Sequence, residues 1–405
     1  MAFLDRERLA RFMARDELDA MVVVTGHNFH YATGYQAYFL APGRQLGRVL
    51  AVVPADPGLE LAVIGSQFEA AAMRAGCEVA DQRYYPTWVG TLDFAEMQAG
   101  TATLTELPVQ YDLGYNYRLV ADVLRDRGLR RPRLGVELAH LNQQAYALLI
   151  RENPDAAVRD SERTWADVRT HKTPAEIELI RQGVFLAEAG IRNVVDRDVR
   201  GLTAGQLRLL YVKGVVDAAL GPPGVPDYQL GGITNVSFGP DPSPKMAAGT
   251  RGIADGDVLK FDVGAIVAGY GSDLGRNFMV GPTPDAVRRV QDAMLAGLRD
   301  AVAAIRPGAR FCDVYAAGMA EVRRHDMPYY SRGHIGHTIG AMGGGEESPF
   351  IGPNETRELE PGMVLAVEVP AYVRGLGAFQ NEHDLVVTDT GVEILDTLPI
   401  ELLEI

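Results

Sequence analysis

The sequence predicts two domains of different build: an α/β N-terminal domain over residues 1–162 and an α+β C-terminal domain over residues 163–405. Three observations carry that prediction. A chain of 405 residues is longer than one ordinary hydrophobic core organises. From about residue 5 to 160 it alternates helical and strand-like patterns. Beyond residue 172, strand pairs interleave with amphipathic helices, which predicts antiparallel strands covered by helices.

In order along the chain, Leu9, Phe12 and Met13 repeat at helical spacing. DAMVVVT (residues 19–25) then reads as a buried strand. RVLAVVP and ELAVIG read as two more, separated by the turn-like ADPG. His27 and His30 in HNFHYATGY fall in a predicted loop, with either a structural role or a place in a substrate pocket. RDRGLRRPR (residues 125–133) reads as a solvated turn, and no low-complexity tract or internal repeat interrupts the pattern.

The domain boundary is placed in RDSERTWADVRTHK (residues 159–172), a polar and weakly periodic stretch. Thr173-Pro174-Ala175-Glu176 follows as a capping box with proline at the first helical position. Ile177, Ile180, Val184 and Ile191 continue it as a core stripe. A second helix starts at Thr283-Pro284-Asp285 with Val287, Val290, Met294 and Leu298 inward, and a third is predicted from Asp313 to Arg324.

Hydrophobic content of 47% and charged content of 23% describe a well-buried globular chain. A formal net charge of -14 without a long basic run excludes the electrostatic footprint of a nucleic-acid partner. The charged N-terminus has no apolar signal-peptide region, and no stretch reaches the roughly 18 apolar residues of a membrane span. A cytoplasmic location is therefore expected. Cys77 and Cys312, far apart and without metal-type spacing, read as small hydrophobes rather than a disulfide.

Chemistry concentrates in the last third. Asp262, Asp273, His337, Glu368 and Glu382 lie in FDVGAIVAGYGSD, GHIGHTIG and EVPAYVRGLGAFQNEH. Four carboxylates and an imidazole suit a pair of divalent first-row metals. In VLKFDVG, Leu259, Phe261 and Val263 share one strand face, leaving Lys260 and Asp262 on the other. A hairpin centred on Val267 and Ala268 would set Asp262 opposite Asp273. One centred on Gly375 would set Glu368 opposite Glu382. Opposed carboxylates repel unless cations lie between them. Gly340, in His-x-x-Gly, marks a close backbone approach.

These residues, in this order, resemble the creatinase, aminopeptidase P, prolidase and methionine aminopeptidase family of "pita-bread" metallopeptidases, peptidase family M24. RTHKTPAEIELIR resembles the helix that opens that fold, and the N-terminal domain is similar to the creatinase-type module. The resemblance implies two divalent ions (manganese, cobalt, zinc or iron). Asp273 and Glu382 would bridge them, Asp262 would complete one position, and His337 and Glu368 the other. It also implies a metal-activated hydroxide attacking an amide, with Glu368 as proton carrier, a small-molecule or dipeptide-like substrate, and a homodimer.

Two departures from the family pattern stand out. The family's histidine 17 residues before the first aspartate corresponds to Lys245, and the one seven residues after the metal histidine falls at Gly344. Such groups stabilise developing charge and position substrate, so their absence points to a specialised substrate. Lys245 can replace one as a cation. His334, Tyr330 and Arg332 are further candidates for the pocket wall, with His334 a candidate catalytic residue, and Arg276 is expected to support a bridging carboxylate. The expected function is a metal-dependent hydrolase of the Xaa-Pro peptidase and creatinase superfamily. The alternatives are a metal-dependent lyase on the same scaffold and a non-catalytic binding module.

Overall fold

The computed structural model describes residues 3–38, 47–90, 92–102, 109, 112–225, 227–229, 231–242, 249–343 and 345–405. The chain divides into two compact units, Met1–Val168 and Arg169–Ile405.

The first unit is built on a six-stranded sheet. Its strands are β1 (Ala20–Val23), β2 (Leu50–Pro54), β3 (Ala62–Ser66), β4 (Asp81–Tyr85), β5 (Arg133–Val136) and β6 (Ala157–Asp160), in spatial order β4-β3-β2-β1-β5-β6. β1 pairs antiparallel with β2 but parallel with β5. Val22, Val52, Ile64 and Val136 are fully buried against Val120, Val123 and Leu149 of helices Leu113–Asp126 and Gln143–Glu152. The continuous apolar runs read from the sequence are thus central strands.

Two segments depart from expectation. Residues 26–33 form a helix, Gly26–Thr33, and not a loop. The buried carboxylate of Glu137 accepts from the Val24 and Thr25 amides and from the Asn28 side chain, which fixes the helix start; Gly34, at φ 70°, ends it. His30 packs edge-on against Phe3, and burial lowers its pKa to about 4, so the ring is neutral. The polar stretch at 159–172 contains helix Glu162–Arg169, anchored by the fully buried Trp165 and Val168. Trp165 meets the Tyr31 ring edge-on at 6.4 Å, a long-range contact invisible to local periodicity.

The second unit is built on a nine-stranded sheet. Its elements are β8 (Thr234–Phe238), β9 (Val258–Val263), β12 (Leu274–Met279), β13 (Gly336–Thr338), β14 (Glu347–Phe350), β15 (Val364–Glu368), β18 (Glu382–Val387), β19 (Val392–Ile394) and β20 (Leu403–Glu404). The main path runs β14-β13-β15-β18-β12-β9-β8. Two short hairpins project from it. β10 (Ile266–Val267) and β11 (Tyr270–Gly271) join β7 (Tyr228–Gln229), while β16 (Ala371–Val373) pairs with β17 (Gly377–Phe379).

Two helix pairs supply the apolar cover. Helices Pro174–Val195 and Ala204–Leu220 bury Leu186, Ile191, Leu207 and Tyr211 with Leu259, Phe261 and Val263 of β9. Helices Asp285–Ala304 and Phe311–Arg324 bury Val287, Met294, Leu298 and Val314 with Leu365 and Val367 of β15. The predicted capping box is present: Thr173 Oγ1 accepts from the Glu176 amide, and the Glu176 carboxylate accepts from the Thr173 amide. Glu176 also accepts from the Tyr270 hydroxyl at 2.9 Å, tying that helix to the β10–β11 hairpin.

Candidate metal centre

Period-two alternation sends the odd-numbered residues of β9 and β15 to the helices and turns Lys260, Asp262, Ala366 and Glu368 to the other face. Strand register then aligns that face into rows. Asn235, Asp262, Gly275, Glu382 and Glu368 follow one another across β8, β9, β12, β18 and β15. In the adjacent row Asp384 pairs with Ala366, and Ala366 with His337. Asp273 enters this row from just before β12, and its amide donates to Asp384 Oδ2 at 2.9 Å.

The Glu368–Glu382 pairing has the predicted register. The Asp262–Asp273 pairing does not: Asp262 stands opposite Gly275. The β10–β11 turn centres on Ala268 and Gly269, at φ 46° and 86°, one residue beyond the expected centre. Both central residues lie at positive φ, the hairpin geometry that suits strand twist. The shift moves each partner by two positions, so Asp262 and Asp273 stay on one face as diagonal neighbours. Gly275 leaves between them the space that this face needs. A Cβ there would overlap Gln380 Cγ and sit 2.9 Å from Glu382 Cβ.

One donor atom each from Asp273, His337 and Glu382 lies within 4.8 Å of the others. All three residues are buried. His337 Nδ1 lies 3.1 Å from the Thr338 carbonyl, so a proton there leaves Nε2 bare; Nε2 is 3.9 Å from Asp273 Oδ2. Glu368 is held by Arg332 Nη2 at 2.9 Å on Oε1 and by Gln380 Nε2 at 2.8 Å on Oε2, and the Gln380 amide also reaches Glu382 Oε2 at 3.1 Å. Asp262 Oδ2 accepts from Lys260 Nζ at 2.9 Å and Asn235 Nδ2 at 3.1 Å. Asp262 therefore stands apart from the three-residue group.

Electrostatics show how acidic this face is. Burial, and then Glu382, Asp262, Asp384 and Glu368, push the Asp273 pKa well above the usual carboxylate range. Burial, followed by Glu368 and Asp262, does the same to Glu382. Burial raises Asp384 despite the Asp273 amide. Burial alone would lower Lys260, but Asp262, Tyr372 and Glu382 outweigh it and the ammonium is favoured. Asp273 Oδ1 and Asp384 Oδ1 are buried without a hydrogen-bond partner among the described residues. Buried carboxylate oxygens of this kind are stabilised by a cation. Hard oxygen donors with one imidazole match a divalent first-row ion, so the residues present fit the implied metals.

The remaining predicted residues separate. His334 Nδ1 lies 3.7 Å from Glu368 Oε1, and His334, Glu346 and Glu368 form a second donor group within 4.8 Å. Tyr330 and Arg332 line a recess of about 450 Å³ together with Pro370 and Tyr372. The Gly340 carbonyl accepts from the Gly271 amide at 3.0 Å, the close approach expected there. Lys245 and Gly344 lie outside the described residues.

Arg276 does not hold a bridging carboxylate as expected. As the neighbour of Gly275 on β12 it turns to the opposite face, where it pairs with buried Asp396 and donates to the Gly275, Glu382 and Leu398 carbonyls. It supports the Glu382 backbone from behind. Sequence reading missed Asp384, although it lies two residues from Glu382 on the same strand face. It also missed Gln380, Asn235 and the role of Lys260, whose contacts depend on cross-strand register.

Fold and donor set together put a buried group of metal-type donors on one face of the nine-stranded sheet. The family model for metallopeptidase family M24 matches residues 178–389, and that for the creatinase/prolidase N-terminal domain matches residues 6–171. An uncharacterised peptidase of Staphylococcus saprophyticus is 30% identical over 267 residues, covering 65% of this chain and 73% of the relative. Methionine aminopeptidase B of Synechocystis is 32% identical over 207 residues, 45% of this chain and 73% of the relative. Among solved structures, a Xaa-Pro dipeptidase from Bacillus anthracis superposes with a TM-score of 0.79 at 19% identity over 99% of both chains. A dipeptidase from Pyrococcus horikoshii gives 0.80 at 18% identity, again over 99% of both. The chain belongs to metallopeptidase family M24, an enzyme family that uses divalent metals, and its C-terminal unit has the pita-bread fold with a creatinase-type N-terminal unit before it.

Proposed function

We propose that this protein is a dinuclear metallohydrolase that cleaves an amide or other C–N bond in a small substrate. The observation that carries this reading is the acidic row Asp262–Glu382–Glu368, joined by Asp273 and His337 on one sheet face, with Asp273 Oδ1 buried and unpartnered among the described residues. Asp273 and Glu382 would be shared by the two ions, with Asp262 serving one and His337 and Glu368 the other. Bound there, the metals would supply Lewis acidity and bring the pKa of a water molecule down to about 7.

The chain's own groups do the rest. Arg332 and Gln380 clamp the two oxygens of Glu368 from opposite sides, fixing the carboxylate that takes up and returns a proton. His334, beside the same oxygen, is placed to pass that proton or to meet a substrate group. The recess bounded by Tyr330, Arg332 and Tyr372 offers a small substrate aromatic walls and a guanidinium.

The test is turnover of a panel of dipeptides and small amides by chelated and metal-reconstituted protein in oxygen-18 water, read by mass spectrometry. Metal-dependent cleavage with label in one product supports hydrolysis. Cleavage without label would assign the site to elimination chemistry, and metal-independent or absent turnover would remove the proposal.

A further inference from the structure

Lys260 is the one basic residue among those aligned on the acidic face of β9, and its surroundings are unusual for a lysine. Its side chain is 2% exposed, and its ammonium lies 2.9 Å from Asp262 Oδ2. The Tyr372 ring covers Nζ at 5.4 Å, and Asn235 donates to the same Asp262 oxygen at 3.1 Å. Lys260 and Asp262 are two residues apart on one strand, so period-two geometry keeps the pair together. Asp273, His337 and Glu382 converge without it, and Asp262 does not join them.

We propose that Lys260 is a built-in competitor for the Asp262 carboxylate that makes the two metal positions unequal. One ion binds tightly at Asp273, His337 and Glu382. The other must share Asp262 with a fixed ammonium, whose positive charge repels it and whose hydrogen bond occupies one of the two carboxylate oxygens. Burial and the Tyr372 ring hold the lysine in place, so it does not swing into solvent when metal arrives. This inference rests on the dinuclear reading of the site. It extends that reading by naming the residue that sets how readily the second position fills, and hence the metal concentration at which the centre becomes complete.

The experiment is calorimetric titration of chelated, dialysed protein with Mn²⁺, with bound metal counted by mass spectrometry. Wild-type protein is expected to bind a first ion tightly and a second at least tenfold more weakly. Lys260→Met removes the charge at similar length and should tighten the second event at least tenfold while leaving the first within a few-fold. Lys260→Arg keeps the cation and should keep the gap. Circular dichroism verifies folding, and Lys260→Gln, which keeps a donor but no charge, replaces the Met variant should that one not fold. Two equal sites in wild-type protein, or a second site unmoved by loss of the charge, would overturn the role of Lys260 while leaving the metal centre intact. Absence of any bound Mn²⁺ in wild-type protein would instead remove the dinuclear reading and this inference with it.

Discussion

Asp273→Asn in metal-free protein should stabilise the fold at alkaline pH, the reverse of the usual effect of altering a buried, function-bearing residue. Asp273 and Glu382 offer carboxylate oxygens within 4.8 Å of each other. At an effective dielectric constant of 20, two unit charges at that separation repel by roughly 3 kcal/mol. Asparagine keeps the shape and removes the charge. Because burial and its acidic neighbours raise the Asp273 pKa in the folded state, the penalty is complete only above that folded value, where the carboxyl is ionised folded and unfolded alike. As the pH falls through the folded pKa, the native protein takes up a proton first and recovers stability, until the unfolded carboxyl protonates near its ordinary value of 3.8. The gain from Asn should therefore approach about 3 kcal/mol at high pH and shrink steadily on acidification. Urea melts of chelated wild-type and variant protein from pH 5 to 9 read this directly. With Mn²⁺ added at a hundredfold its Kd, wild-type protein should gain about 2.7 kcal/mol that the variant lacks. A variant less stable than wild type at every pH, or one equally stabilised by Mn²⁺, would refute the reasoning.

Other expected outcomes follow from particular contacts. Arg276→Met leaves buried Asp396 without its guanidinium and should cost about 3–5 kcal/mol in urea denaturation. Asp384→Asn weakens the acceptor that orients the Asp273 amide, and Mn²⁺ affinity by calorimetry should fall about 10–100-fold with the fold retained. Gly275→Ala places a methyl 2.9 Å from Glu382 Cβ and should cost about 1–3 kcal/mol while also weakening metal binding, read by thermal melts with and without Mn²⁺.

Much of this architecture was legible because its signals are local. Continuous apolar runs such as AVVP and AMVV became central strands, and the Thr173–Glu176 capping box marked a helix start that the structure shares. The five donor-type residues were visible as chemistry, and alternation of core and donor residues put Asp262 and Glu368 off the helix-packed face before any register was known. The errors arose where the deciding term is not local. The midpoint between Asp262 and Asp273 falls on Val267 and Ala268, but the turn sits one residue further on, where Gly269 supplies a positive φ beside Ala268. Residues 26–33 are helical because Glu137, more than a hundred residues away, caps their start. Trp165 made a polar-looking stretch helical through contact with Tyr31. The lysine bound to Asp262 went unread because a lysine on a strand normally points to water.

The dependence of the whole mechanism on one sheet face is tested most directly by anomalous diffraction at the manganese absorption edge from crystals grown with Mn²⁺. A strong anomalous peak enclosed by Asp273, His337 and Glu382, with a second and weaker one beside Asp262, is the expected result. An anomalous map with no peak between those side chains in Mn²⁺-saturated crystals would contradict it.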